Sequence, residues 1–468
     1  MRPRYPWLVA AATILAACAE LPGGVGDVDA ITLSPSATVL TLGDTARIDV
    51  TVLDADGRPL PPAQVHWSSN DRLIVHVDSG RVSAVGAGTT SITAESGGRS
   101  ARTLVTVRMD LTAVTAGTVH TCGITGNRRL ACWGSNSFGQ IGNGTIFSSA
   151  TPTLVLGAMD IVDVAAGGAH TCALTVAGDA YCWGSNRSGQ LGLGKYDPER
   201  HDIPAPLAGS VSFASLTAGS RHTCGLTGDG LAYCWGGGFS GQQGTGTPDD
   251  FCATFDEPCN LLPTLVHGGL AFAQISAGQE HTCGLTLAGE AYCWGWNVVG
   301  QIGDSSLVDR NEPTPLKGGI TFNDITAGTF HSCGIDTEGR AHCWGTNLRG
   351  ELGVSDTLRE SLVPIAVTGP HRFALLTGGE EHTCGISDNA SAWCWGYNGR
   401  DQLGSNSVLR ADEPVPAEAP PFATLTSGGA HVCGRALDGR VYCWGSNNAG
   451  QLGTGGFSRH TAAAVNGQ

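Results

Sequence analysis

The sequence predicts an all-β chain, a seven-bladed β-propeller preceded by a small β-sandwich, and three observations carry that expectation. Glycine accounts for 69 of 468 residues and charged residues for only 14%, the profile of short strands joined by tight turns. No stretch sustains an i, i+3, i+4, i+7 apolar period, so almost no helix is expected. A string of the type "AHTCALTVAGDAYCWGSN", residues 169–186, recurs seven times. Its histidines stand at His120, His170, His222, His281, His331, His382 and His431, at intervals of 50, 52, 59, 50, 51 and 49 residues. Each unit reads as four short strands, illustrated by 151–155, 161–167, 170–175 and 180–184, and seven such units make seven blades.

The chain opens with Arg2 and Arg4 and an apolar run from Trp7 to Ala17, too short to cross a bilayer of about 30 Å. It ends in Leu15-Ala16-Ala17-Cys18, which resembles the bacterial lipobox. The resemblance implies a lipoprotein signal peptide at 1–17, cleavage before Cys18 and lipidation of that cysteine. An ordinary secretory peptide cut nearby is the alternative. Ala19 after the cysteine points to the bacterial outer membrane or cell surface. Residues 18–30 read as a tether. From 31 to 107, "RIDVTVLD", "DADGRPL", "VHWSS" and "GRVSAVGAGTTSITAESGG" mark about seven strands. Through Gly43, Trp67-Ser68-Ser69, Gly80-Arg81-Val82 and Gly86 to Ala94, this segment resembles the bacterial immunoglobulin-like domain of group 2. The resemblance implies an Ig-like sandwich used as a spacer.

The remaining segment, 108–468, is the propeller. Its motif, "AG-x-x-H-T-C-A-L-T" followed by "G-x-x-Y-C-W-G-x-N-x-x-G-Q-L-G", resembles the repeat of the regulator of chromosome condensation over residues 111–465. Every later blade is preceded by a strand like "TPTLV", and the first has none. "TAAAV", residues 461–465, is therefore expected to pair with residues 111–134 and close the ring.

The cysteines follow a strict rule, two per repeat and always ten apart: Cys122 with Cys132, Cys172 with Cys182, Cys224 with Cys234, Cys283 with Cys293, Cys333 with Cys343, Cys384 with Cys394, and Cys433 with Cys443. A three-residue hairpin loop with a left-handed third residue, glycine in five repeats, sets Cys172 opposite Cys182. That register brings the Cα atoms to roughly 4.5 Å, close enough for a disulfide. Arg128 and Ala390 hold the glycine position in the first and sixth repeats, where a different turn is expected. Cys252 and Cys259 form an eighth pair, and Cys18 completes the seventeen. Zinc held by His120, Cys122 and Cys132 is the alternative reading, with three ligands per blade. The repeated histidines read as interior donors tying blades together through backbone oxygens, and the tryptophans of "CWG" as packing between blades.

A net charge of −15 with only Lys195 and Lys317 as lysines argues against a nucleic-acid partner, which requires clustered cations. No nucleophile triad, phosphate loop or dinucleotide fingerprint appears, so neither cofactor nor metal is expected. Function is sought where the repeat breaks: the loop 195–202, with Lys195, Tyr196, Arg200 and His201, and the loop 244–263, with Asp249, Asp250, Asp256 and Glu257. The acidic spacing is not that of an EF-hand, so a rigid partner-binding surface is the expectation, with tolerated insertions as the bland alternative. Family resemblance implies three roles: nucleotide exchange on a nuclear GTPase, chromatin binding, and inhibition of β-lactamases by secreted bacterial propellers. The first two conflict with export. The expectation is an exported, lipid-anchored, monomeric and non-enzymatic recognition protein for a protein or cell-envelope partner. The alternative is a propeller lyase or hydrolase acting on a cell-wall or extracellular polymer, betrayed by a His, Glu and Arg cluster at a channel mouth.

Overall fold

The structure, a computed structural model, describes residues 27–61, 65–157, 159–246, 250–252, 257–354, 357–406, 408–456 and 458–468. Cys18, Asp249 and Asp256 lie outside the described residues, as does the side chain of Asp250. Ten strands between Val28 and Arg108 form the N-terminal sandwich. Its widest sheet runs Ala37–Thr41, Arg99–Arg108, Gly88–Ser96, His66–Ser69. Alternation explains the inward face of the longest strand: Thr103, Val105 and Val107 are buried while Arg102, Leu104 and Arg108 face out.

The sandwich is not a free spacer. Leu42, Ile48, Val75 and Val82 belong to one apolar cluster that passes through Met109 and Leu111 to Ala131 and Trp133 of the first blade and Val441 and Leu452 of the last. Polar contacts pin the same junction. Asn127 Nδ2 donates to Leu42 O at 3.1 Å and to Asp44 Oδ1 at 2.8 Å, and Met109 N donates to Gly467 O at 2.7 Å.

From Leu111 the chain folds into seven sheets, six of them four-stranded meanders of strands consecutive in sequence. The first is Leu111–Ala116, His120–Thr125, Leu130–Gly134 and Ser149–Leu154. The last is Phe422–Ser427, His431–Ala436, Val441–Gly445 and Arg459–Ala464. The seven innermost strands line a central channel of about 280 Å3. The third sheet gains a fifth strand, Asp250–Cys252, at its outer edge.

The expected phase of the repeat is corrected here. The "GQLG" loop turns the chain back beside the "CWG" strand, with Cys182 facing Ala205 and Gly184 facing His201. The "TPTLV"-type strand therefore finishes the preceding blade. Arg459–Ala464 accordingly pairs with Val441–Gly445 and not with residues 111–134. Among the described residues no strand pairing crosses the seam; side chains close the ring together with two backbone bonds, Gly429 N to Thr118 O and Gly455 N to Ala150 O, both at 3.2 Å. Thr121 Oγ1 donates to Gln451 O at 2.8 Å, Trp133 Nε1 donates to the same oxygen at 2.9 Å, and Arg435 Nε donates to Leu111 O at 3.2 Å.

Each "HTC" strand pairs with its "CWG" strand so that the two cysteines face one another. Disulfides join Cys122 to Cys132, Cys172 to Cys182, Cys224 to Cys234, Cys283 to Cys293, Cys333 to Cys343, Cys384 to Cys394 and Cys433 to Cys443, with Cα separations of 4.0–4.1 Å. An eighth joins Cys252 to Cys259. With both thiols of every repeat engaged in a bond to each other, the alternative of zinc on His120, Cys122 and Cys132 is set aside, since a metal would need free thiolates. Arg128 and Ala390 do not change the turn. They take φ of 59° and 66°, in the left-handed region where Gly178 has 85°, at a cost of roughly 1 kcal/mol each.

Between blades, the histidines act through hydroxyls and not directly on backbone oxygens. His120 Nε2 lies 2.9 Å from Thr171 Oγ1 of the next blade, and Thr171 Oγ1 donates to Gln140 O at 2.8 Å. A carbonyl can only accept, so the hydroxyl donates to it and accepts from Nε2–H. Six of the seven joints repeat this relay. The exception is His382, which faces the blade where Val432 replaces the hydroxyl residue. Its Nε2 has no partner among the described residues. Close approach also explains the "AG" glycine: a Cβ on Gly117 would lie 2.5 Å from Gly167 O of the next blade and 2.6 Å from its own blade's His120 ring.

Candidate recognition face around the channel mouth

The channel itself is lined by small side chains, among them Thr115, Thr217, Ser276, Thr326, Thr377 and Thr426. Glu380 is the one ionisable side chain among its described lining residues. The seven histidines stand behind this lining, fully buried, and burial pulls each far below the ordinary imidazole value, to about 3 or 4. They are therefore neutral scaffold groups.

One face of the ring is different. There the residue before each histidine presents its carbonyl to the backbone N–H of the residue after "CWG". Trp296 N donates to Glu280 O at 2.8 Å, Thr346 N to Phe330 O at 3.0 Å, and Tyr397 N to Glu381 O at 2.8 Å. This bond recurs in every blade, so it fixes two concentric rings of positions while leaving their side chains unspecified. The inner ring reads Val119, Ala169, Arg221, Glu280, Phe330, Glu381, Ala430. The outer ring reads Ser135, Ser185, Gly237, Trp296, Thr346, Tyr397, Ser446.

Large and charged residues concentrate on one side of these rings. The Trp296 and Phe330 rings meet edge to face at 5.5 Å. The Arg349 guanidinium lies 5.1 Å over the Tyr397 ring and its Nε is 3.2 Å from Glu381 Oε1. Arg187 stacks 5.1 Å over Phe138 in the same manner. Burial raises the Glu280 carboxyl, with Arg221 opposing and Glu257 and Asp309 adding to the shift.

Glu351 is buried where the other repeats have glutamine. Its Oε2 accepts from Arg349 N at 2.8 Å, the bond that Gln140 Oε1 receives from Phe138 N in the first blade. Burial pushes its carboxyl up to about 7, helped by Glu381 and opposed by its backbone bonds and by Arg410. It substitutes for a structural amide.

The residues singled out from sequence distribute unevenly around this face. Lys195 and Arg200 are exposed, and Tyr196 is half-buried. His201 begins an outer strand, with its Nε2 3.5 Å from Asp197 Oδ2. Glu257 reaches Arg221 at 3.4 Å, which ties the insertion loop to the channel mouth. The two loops are neighbours, since Gly194 N donates to Leu261 O at 2.9 Å. Sequence reasoning searched for extra length and so missed Trp296, Phe330, Arg349 and Tyr397, which sit at ordinary spacing. The usable signal was the variable residue in "x-H-T-C" and "C-W-G-x".

Comparison with known proteins agrees with this architecture. Models of the regulator of chromosome condensation (RCC1) repeat match residues 111–351 and 422–451, more than half of the chain. The bacterial Ig-like domain (group 2) model matches residues 27–107. The chain is 29% identical over 202 residues to the Ultraviolet-B receptor UVR8 of Arabidopsis thaliana, covering 43% of this chain and 44% of that one. It is 34% identical over 99 residues to human RCC1 domain-containing protein 1, covering 21% and 24%. The matched segments thus span less than half the length of these relatives. In structure it resembles human WBSCR16, with a TM-score of 0.65, 20% identity and coverage of 72% and 93%. It also resembles yeast RCC1 (Prp20) bound to Kap60, with a TM-score of 0.63, 20% identity and coverage of 76% and 85%; both likenesses concern the fold. With seven blades of one motif and repeat models matched over most of the ring, this chain belongs to the family of regulator of chromosome condensation repeat proteins.

Proposed function

We propose that this chain is an exported, lipid-anchored recognition protein that binds a partner protein through the channel-mouth face, without catalysing a reaction. The carrying observation is the belt of Trp296, Phe330 and Tyr397 on backbone-anchored positions, with Arg349 stacked over Tyr397. Tryptophan, tyrosine and arginine are the residue types that dominate binding energy at protein interfaces, and here no loop has to be ordered before they engage. Export and attachment through Cys18 rest on the lipobox resemblance, and eight disulfides suit an oxidising compartment. The relatives are compatible with a binding role: one is a receptor by name, and yeast RCC1 has been solved bound to Kap60. The described channel lining offers Glu380 alone, and at the mouth Arg221 pairs with Glu257 and Arg349 with Glu381 while the ring histidines are buried behind the lining, an arrangement that favours recognition over the acid–base chemistry of a propeller lyase or hydrolase.

The test uses the mature chain as bait against envelope extract from its own cells, followed by affinity measurement with the isolated partner. W296A and Y397A should each weaken binding at least tenfold, while L437A, away from this face, should leave it unchanged. Equal binding by all three variants, or turnover of an envelope polymer by the purified chain, would refute the reading. Loss of membrane association in C18S checks the anchor separately.

A further inference from the structure

A pocket of about 290 Å3 opens beside the channel mouth at the joint between the second and third blades. Its lining includes Ser185, Arg187, Ser188, Ser220 and Arg221. Among the described residues two guanidinium groups and no carboxylate line it, on a chain whose net charge is −15. Other joints do not repeat this pairing: Arg349 faces Glu381 across the fifth and sixth blades, and the fourth blade presents Glu280 and Trp296.

Arg187 is held over Phe138, and Arg221 Nη1 lies 3.5 and 3.4 Å from the two carboxylate oxygens of the loop residue Glu257, long contacts that a better-placed carboxylate could displace. Ser185 and Ser188 are buried at 5% and 3% exposure, and among the described residues their hydroxyls and that of Ser220 have no protein hydrogen-bond partner. A second pocket, containing Phe138, Arg187, Pro198, Glu199 and Arg200, continues the groove on the far side of Arg187. The loop 195–202 is thereby brought into the same surface.

We infer that the pocket between the second and third blades is a carboxylate-binding subsite, which receives an aspartate or glutamate side chain of a partner polypeptide. Guanidinium groups match a carboxylate in planar, paired hydrogen bonds, and hydroxyls satisfy its remaining lone pairs. The volume lies at the low end for small-molecule sites, so it suits one side-chain head carried by a larger molecule. The aromatic belt across the mouth supplies the flanking contact surface. This inference rests on the proposed recognition role and names the chemistry that the face selects.

The experiment titrates the full chain with tetraglutamate, tetraglutamine and inorganic phosphate, following arginine side-chain Nε–H signals by NMR, which detects millimolar binding. Tetraglutamate should shift Arg187 and Arg221, and its affinity should fall at least fivefold in R187Q and in R221Q, both exposed positions that leave the fold intact. E257Q, which removes the competing carboxylate, should tighten it. Tetraglutamine should not bind. No shift with tetraglutamate, affinity unchanged by all three variants, or phosphate binding more tightly than tetraglutamate would overturn the assignment. W296A should leave tetraglutamate binding intact, so failure of this subsite is distinguishable from failure of partner recognition by the aromatic belt.

Discussion

At the scale of single residues, the seven repeated histidines carry a consequence beyond architecture. Each is fully buried, and burial is the first cause of its depressed pKa, with neighbouring imidazoles of the ring adding to the effect at His170, His281, His382 and His431. In the unfolded chain an imidazole takes a proton near 6.5, whereas in the fold it waits until about 3 or 4. Between those values the unfolded state binds more protons, so stability is full above about pH 6.5 and is lost as pH falls. Each histidine contributes up to about 1.4 kcal/mol per pH unit in that window, and seven act together. The unfolding midpoint should therefore drop steeply between about pH 6.5 and pH 4.5, which a series of thermal melts would measure. A flat profile over that range would mean that the histidines are not neutral and buried as described.

At the scale of elements, the joint between blades is the repeating unit of stability, and one joint is incomplete. Where Thr121, Thr171, Thr223, Thr282, Ser332 and Thr383 relay a histidine to a backbone carbonyl, the last blade has Val432, fully buried. V432T should restore the relay from His382 to Gln402 O, which Trp444 Nε1 already contacts at 3.1 Å. A buried hydrogen bond gained this way is worth about 1 kcal/mol, or about 1 °C in a propeller of this size. Calorimetry of the two proteins compares them directly, and a lowered midpoint would show that the valine methyl packs better than the hydroxyl bonds. Elements were legible in the sequence wherever the determining contact is local. The hairpin that sets Cys172 opposite Cys182 lies within eleven residues, so its register could be counted. The outer strand could not be assigned in the same way, because a repeat of about fifty residues has no mark of where a blade begins. Only pairing in space decides that Ser149–Leu154 closes the first sheet. The aromatic belt was legible only as variable positions beside the repeated motif, because Trp296, Phe330 and Tyr397 lie more than thirty residues apart in sequence and become one surface only when the ring closes.

At the scale of the whole molecule, ring closure and the sandwich prove to be one problem. Among the described residues the seam between the last and first blades has no shared strand, and its apolar outer flank merges with the N-terminal domain in one cluster that runs from Leu42 and Val82 through the linking Met109 to Leu111 of the first blade. The C-terminal residues stitch the same place. Val465 is buried, Asn466 N donates to Gly453 O at 3.0 Å, Gly467 O accepts from Met109 N, and Gln468 bonds both backbone groups of Val441. A chain terminus is ordinarily the place where change is best tolerated, unless burial and hydrogen bonding tie it down, as they do here. Deleting residues 465–468 removes Val465 from the core and leaves Met109 N without its acceptor. The truncated chain should then show faster amide exchange in Leu111–Ala116, in Val441–Gly445 and in the sandwich strand Arg81–Ala84, while Phe322–Ala327 on the opposite side of the ring stays protected. If Arg81–Ala84 exchanged at the same rate in both proteins, the sandwich would be an independent body, and the seam would be held by the bonds between the first and last blades themselves, those of Thr121, Trp133, His431 and Arg435 among them.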